Sequence, residues 1–416
     1  MRLAVFTNRF PGFVNTFFAR DVRTWIEAGI TVDVFAIYPV EPELWRYVPS
    51  ILDEHILPRE RVHHLSARQM LRFASPHPAG PFGRLVRDTG AVGAASARYG
   101  AGTIARSLYV SAQAWAWARR FPAGSYDHVL AYWGNYSATC AYLYQRLTDP
   151  RLPFSMFVQA RMDLYRKPAY LSQKMLYADN IFLVCEFNRR YIRQHYPEIF
   201  NRIAPRIRVH HLGLDLDSFR YEPGGRRSGT VIAVGRLERL KGFHNLVRAI
   251  HLLVSKGMDV TLEIVGDGEE LAPLRALAAQ LGIADRVRFL GWLRSDDVKA
   301  AMQRATLLAH PPIELDAMPT VLKEAMALGT PVVASALAGA PEILDDGRCG
   351  ILVPAGDVQA LTHAVERLLR DDALRARLAA AGRRHVERTF DLWENGRRLA
   401  ELLRASRRQD GAQEPV

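Results

Sequence analysis

Four charged side chains define the chemistry open to this sequence: Arg236, Lys241, Asp316 and Glu324. Arg236 and Lys241 follow Thr230–Val234, an apolar, β-branched run that reads as a strand. Two cations in one strand-end loop can hold a diphosphate and stabilise the charge that builds as it departs. Asp316 and Glu324 bracket the opening of a short helix at Pro319-Thr320-Val321, which Gly329-Thr330-Pro331 brings to an end. Proline suits a first helical turn, and glycine suits the position just past the last one. The helix start leaves backbone N–H groups without intrahelical partners, and these favour a phosphate. The two carboxylates can accept hydrogen bonds from sugar hydroxyls. The set suits a sugar joined to a nucleoside diphosphate.

The elements that must position these residues alternate strand and helix. Strands are expected at Arg2–Thr7, Thr31–Ile37, Asp127–Tyr132, Phe154–Val158, Ile181–Cys185 and Arg206–His211. The pattern restarts with Thr230–Val234, Val260–Val265, Val287–Leu290, Thr306–Ala309, Pro331–Ala334 and Gly350–Val353. This is α/β with two Rossmann-like halves, and the segment 213–229, containing Pro223-Gly224-Gly225, is the expected linker. Ligands of such sheets lie at the carboxyl ends of strands, so Gly12, Gly235, Gly266 and Asp267 are expected beside one, and the cleft between the halves is the expected site. Gly266-Asp267-Gly268 lacks the third glycine of a dinucleotide fingerprint, since position 271 is leucine. Residues 39–80 read as irregular. Residues 97–118 read as a helix with Ala101, Ile104, Leu108, Ala112 and Trp115 as its apolar stripe. The tail, 407–416, reads as disordered.

At 416 residues, with 49% hydrophobic and 24% charged, the composition is that of a globular chain of two or three domains. No apolar run approaches the roughly 18 residues of a membrane span. The N-terminus reads as a first strand rather than a signal peptide. Cys140, Cys185 and Cys349 have neither metal nor disulfide spacing, which points to a reducing cytoplasm. The net charge of +12 is uneven: ten arginines and no lysine lie from Arg59 to Arg120, against Glu60 and Asp88. Such a belt either faces an anionic partner, a membrane surface above all, or is simply a solvated surface. No nucleic acid partner is expected.

From Val231 to Leu361 the chain resembles the donor domain of family 4, or "group 1", retaining glycosyltransferases. The resemblance rests on Val234-Gly235-Arg236-Leu237 with Lys241-Gly242, Val265-Gly266-Asp267-Gly268, Phe289-Leu290-Gly291, Met318–Ala327, Gly329–Ala334 and Gly350–Pro354. More loosely, Arg9-Phe10-Pro11 with Thr16-Phe17, and Glu186–Arg190, resemble members that build bacterial exopolysaccharides such as colanic acid.

The resemblance implies the GT-B fold. Residues 1–212 with about 390–406 form an acceptor domain, 230–389 a donor domain, and the last helix crosses back to the first. It implies that Arg236 and Lys241 grip the donor diphosphate, that Glu324 binds the ribose and Asp316 the transferred sugar. Leu290 and the backbone of Met318, Pro319, Thr320 and Val321 complete the donor site. Asn15, Tyr132, Gln159, Arg161 and Asp163 are the acceptor-side candidates. The implied partners are a nucleotide sugar and a saccharide or polyprenyl-phosphate-linked acceptor, with no cofactor and no metal, at the inner membrane face.

Three departures accompany the resemblance. The family's E-x7-E is Asp316-x7-Glu324 here, one methylene shorter at its first position. A histidine that relatives carry after the strand at Phe154–Val158 is absent from Gln159–Asp163, and Tyr132 stands where another often ends the preceding strand. These acceptor-side changes motivate an alternative, a weak or inactive sugar-nucleotide-binding partner of another transferase. A nicotinamide-dependent oxidoreductase is a further alternative, resting only on the Rossmann-like pattern without an intact fingerprint.

Overall fold

The structure is a computed structural model, and it describes residues 1–11, 16–38, 52, 55–73, 81–166 and 168–406. The chain divides into two compact units, Met1–Gly213 with Leu392–Val416, and Leu214–Asp391. The expected tail at 407–416 lies outside the described residues.

Among its described residues the first unit holds seven strands: β1 (Arg2–Thr7), β2 (Thr31–Ala36), β3 (Val62–His63), β4 (His128–Ala131), β5 (Phe154–Val158), β6 (Asn180–Leu183) and β7 (Ile207–Val209). Their order is 3-2-1-4-5-6-7 and every pairing is parallel. Helices cover both faces, so the strands read as continuous apolar runs; β4 and β5 are buried at every position. The helix Leu392–Ala405 belongs to this unit. Its Leu399, Ala400 and Leu403 join Phe18, Val22 and Trp25 of the helix Thr16–Glu27 in one apolar cluster. Gly396 makes this packing feasible, because a Cβ there would collide with the Thr24 side chain.

The second unit holds β8 (Thr230–Val234), β9 (Thr261–Val265), β10 (Val287–Gly291), β11 (Leu307–His310), β12 (Val332–Ser335) and β13 (Ile351–Val353), in the order 10-9-8-11-12-13, again parallel. The helix Phe243–Ser255 buries Phe243, Leu246, Val247, Ile250 and Leu253, the three-and-four spacing of one helical face, against this sheet. In each unit the strand order reverses once, between β1 and β4 and between β8 and β11. Sheets of this kind bind ligands outside the carboxyl ends of the strands at that reversal.

Two expectations are corrected. The stretch read as irregular contains β3 and a helix at Ala67–Phe73, and a further helix, Pro81–Ala97, follows it. Gly83, Gly90 and Gly93 weaken that helix's propensity and hid it. The helix expected at 97–118 runs Ala101–Arg120, with Gly100 at φ 89° separating it from its predecessor. Its stripe is also placed differently. Ala101, Leu108 and Ala112 are exposed, while Ser107, Val110, Ser111, Ala114 and Trp117 are buried. Small serines allow close helix contact: Ser107 Oγ lies 2.8 Å from Ser96 Oγ of the preceding helix, and Ser111 Oγ donates to the Ser107 carbonyl at 2.8 Å.

Candidate functional site

At the β8/β11 reversal the loops are laced by backbone hydrogen bonds. Gly235 N donates to Val265 O at 3.0 Å, Leu237 N to Asp267 O at 2.9 Å, Gly266 N to Gly291 O at 2.8 Å and Ile313 N to Leu240 O at 2.9 Å. Gly242, at φ 67°, sits so close to the Pro311 carbonyl that a Cβ would collide with it. Only glycine combines that left-handed backbone with that approach. The loops after β8 and β11 are thereby seated against each other.

This seating brings Lys241 and Asp316 together. Lys241 Nζ lies 2.5 Å from Asp316 Oδ2, with the side chains 18% and 23% exposed. His310, the last residue of β11 and 1% exposed, places Nε2 3.5 Å from the same carboxylate oxygen. Burial pushes the Asp316 carboxyl up, but His310 and Lys241 outweigh it and hold the group well below the ordinary carboxylate range. Asp316 is therefore a carboxylate at neutral pH. Burial pulls His310 down and favours the neutral ring, and the opposing effect of Asp316 does not overcome it.

Arg236 is exposed and its Nη1 lies 2.7 Å from Glu238. Pro319 is the N-cap, at φ −65°, of the helix Thr320–Ala327. Met318 and Pro319 are buried, Thr320, Val321 and Glu324 are half-buried, and Lys323 is fully buried with Nζ 5.3 Å from the Phe390 ring centre. Gly235, Gly266 and Leu290 are half-buried at the ends of β8, β9 and β10. Asp267 is exposed, and its carboxylate accepts from Gly268 N at 2.8 Å. All these residues stand on the carboxyl edge of one sheet.

At the β1/β4 reversal the expected residues lie inside the protein. The buried Tyr132 hydroxyl donates to Asp21 Oδ2 at 2.5 Å. Gln159 Nε2 donates to the Tyr132 carbonyl at 2.6 Å. Asp163, fully buried, accepts from the backbone N–H groups of Gly134, Gln159 and Ala160 at 3.1, 3.0 and 2.7 Å. Opposite it, fully buried Lys174 donates to Gly134 O, Asn135 O and Thr139 Oγ1 at 2.8, 2.9 and 3.0 Å. Burial pulls Lys174 down to about 7, with Asp163 resisting. Gln159 and Asp163 thus hold the backbone of the two strand-end loops, and the Tyr132 side chain is tied to Asp21. Gly12 and Asn15 lie outside the described residues, as does the side chain of Arg161. A cavity of about 620 Å³ opens at this edge, lined instead by residues such as Asn8, Arg9, Tyr38, Arg106, Tyr136 and Arg166.

Residues 224–385 match the family described as "Glycosyl transferases group 1". That segment is a group 1 glycosyltransferase domain. A GDP-mannose-dependent alpha-(1-6)-phosphatidylinositol monomannoside mannosyltransferase of Mycolicibacterium smegmatis is 34% identical over 242 residues, 54% of this chain and 63% of its own length. The chain thus spans less than two thirds of that relative. The amylovoran biosynthesis glycosyltransferase AmsK of Erwinia amylovora is 26% identical over 97% of this chain and 99% of its own. Among solved structures, Anabaena HepE in complex with UDP superposes with a TM-score of 0.70, at 18% identity, over 97% of this chain and 99% of its own. The fold is GT-B.

The group 1 domain contains one cluster with metal-ligand chemistry among the described residues: Asp345, Cys349 and His385, their ligand atoms within 4.8 Å of one another. Arg348 already pairs with Asp345 at 2.5 Å, and Arg388 Nη2 lies 3.2 Å from His385 Nδ1. The flanking guanidiniums oppose a cation there. His310 escaped the sequence reading because it ends a strand as its last apolar-facing residue; its only signal was a histidine six residues before Asp316. No helix among the described residues is long and apolar enough to cross a membrane.

Proposed function

We propose that the protein transfers a sugar, with retention at the anomeric carbon, from a nucleoside diphosphate sugar to a saccharide or lipid-linked acceptor in the building of a bacterial surface polysaccharide or glycolipid. The observation that carries this reading is the Lys241–Asp316 pair beside the N-terminus of the helix Thr320–Ala327, in a group 1 domain. GDP-mannose dependence and bound UDP among the similar proteins support a nucleotide-sugar donor of either base.

In the reaction the bond between the anomeric carbon and a diphosphate oxygen breaks. The acceptor hydroxyl oxygen bonds to that carbon from the same face, and its proton passes to the departing phosphate oxygen. The transition state resembles an oxocarbenium ion, as in glycoside hydrolysis. Arg236, Lys241 and the first-turn N–H groups at Thr320 and Val321 offset the charge growing on the diphosphate. They supply what a metal otherwise would, so the reaction runs without one. Asp316, kept ionised, accepts hydrogen bonds from the transferred sugar, and Glu324 accepts from the ribose. The side of the first unit that carries the exposed Arg87 and Arg98 meets anionic lipid at the cytoplasmic face.

Nucleoside diphosphate release from UDP- and GDP-sugars, with and without oligosaccharide and lipid-linked acceptors, tests the reading. Acceptor-dependent release is expected, and Glu324→Ala abolishes both it and the thermal shift given by the donor. Donor binding with no turnover on any acceptor assigns the protein instead to a non-catalytic partner role, which the inward-facing Tyr132, Gln159 and Asp163 favour.

A further inference from the structure

The cavity at the β1/β4 reversal has a charge pattern of its own. Arg9 comes from the loop after β1, Arg106 from the helix Ala101–Arg120, and Arg166 from the turn after β5. No aspartate or glutamate among the described residues lines it. Among the described residues no carboxylate pairs with Arg106 or Arg166, whereas Arg236, Arg239 and Arg288 at the edges of the second unit each have one. The helix Tyr136–Thr148 begins at the cavity wall, capped by Asn135, whose Oδ1 accepts from Ser137 N at 3.3 Å. Lys174 pins that start from behind through Asn135 O and Thr139 Oγ1. A helix start and three guanidiniums face one space of about 620 Å³, within the roughly 300–1,000 Å³ of small-ligand sites.

The walls suit more than an anion. Tyr38 and Tyr136 line it and can pack against a sugar, and the buried Oδ1 of Asn8 has no hydrogen-bond partner among the described residues. A sugar hydroxyl is a donor that such an oxygen lacks. The Tyr38 hydroxyl senses the charge: burial and Tyr136 push it up, while Arg106 and Arg9 pull against them. The rim is apolar. Met162 and Tyr99, both cavity-lining, are 57% and 39% exposed. Large apolar side chains gathered at one mouth mark an interaction site rather than ordinary surface.

We propose that this cavity binds the acceptor by a phosphate or diphosphate group, held by Arg9, Arg106 and Arg166, with the acceptor sugar against Tyr38 and Tyr136. Arginine forks match phosphate oxygens two at a time, and three of them from separate segments fit a group carrying more than one charge. The assignment rests on the glycosyltransferase reading for the word acceptor; the phosphate site stands without it. Two sources share this chemistry, a lipid-linked sugar diphosphate whose chain leaves over Met162 and Tyr99, and a soluble phosphorylated saccharide.

Titration calorimetry with inorganic diphosphate and with farnesyl diphosphate separates them. The proteins are the full chain, an Arg106→Ala/Arg166→Ala variant and an Arg236→Ala/Lys241→Ala variant. Arg106 and Arg166 are both exposed, so the first variant keeps its fold. The expected result is a diphosphate site that survives in the Arg236/Lys241 variant and weakens by about tenfold or more in the Arg106/Arg166 variant. Tighter binding of farnesyl diphosphate than of inorganic diphosphate at that site assigns the lipid-linked source, and equal binding assigns the soluble one. Diphosphate affinity unchanged by Arg106→Ala/Arg166→Ala overturns the proposal. Loss of binding only in the Arg236/Lys241 variant also overturns it, while leaving the donor reading intact.

Discussion

The two strand-order reversals solve the same positioning problem with differently sourced charge. At β8/β11 the cation and the carboxylate come from loops that leave adjacent strands, and they meet as a pair before any ligand arrives. At β1/β4 the groups nearest the strand ends turn inward: Asp163 and Lys174 are consumed in holding backbone. The cations facing the cavity come partly from a mid-helix position, Arg106, and from beyond a turn, Arg166. One edge is charge-balanced and ready to exchange its internal pair for a ligand. The other is held positive by a buried scaffold. A sheet reversal thus fixes where a ligand sits, while the sign of the site depends on which layer of residues, loop or helix, supplies the charge.

The sharpest way to break this comparison is Lys241→Ala. Loss of a preorganised cation at the departing diphosphate is expected to lower kcat by roughly 10²–10³-fold, read as initial rate at saturating donor and acceptor. Arg106→Ala/Arg166→Ala should instead raise the acceptor KM and leave the donor KM alone; a change in donor KM would merge the two sites into one. Next in size is the scaffold. Lys174→Met leaves the Gly134 and Asn135 carbonyls without their buried donor, and should cost about 1–3 kcal/mol in urea unfolding of the chain.

The same lysine predicts a pH dependence. Its folded pKa, about 7, lies below its ordinary value of 10.5. Between those values the unfolded chain binds more protons than the folded one, so stability rises with pH in that window. The stability difference between wild type and Lys174→Met should therefore widen from pH 7 to pH 9; a constant gap would mean that Lys174 stays charged throughout. The smallest effect is expected at the surface. Arg87→Glu with Arg98→Glu should reduce co-sedimentation with anionic phosphatidylglycerol vesicles at low salt and leave initial rates on a soluble acceptor unchanged.

Much of the fold was legible because parallel strands buried on both faces write themselves as apolar runs. Arg2–Thr7, Phe154–Val158 and Thr230–Val234 coincide with β1, β5 and β8. The helix Pro81–Ala97 was not legible, since glycine frequency and helix propensity point away from it. The stripe on Ala101–Arg120 misled for a related reason: a contact between helices selects small side chains, so serines are buried and Leu108 is not. At the second reversal, Lys241 and Asp316 could be grouped because each follows its strand within a few residues. His310 and the cavity arginines could not. Their proximity depends on helix rotation and on a loop's path, which no local spacing records.

The helix Leu392–Ala405 has a consequence for how the chain is made. The first unit is encoded in two pieces, with all of the second unit between them. On a ribosome the face of Phe18, Val22 and Trp25 emerges early and waits for Leu399 and Leu403 until about 370 further residues, the whole second unit among them, have been synthesised. The second unit, encoded without interruption, can complete its core first. The order of translation and the order of folding then run opposite ways, and the interval between them is when the first unit most needs protection from aggregation.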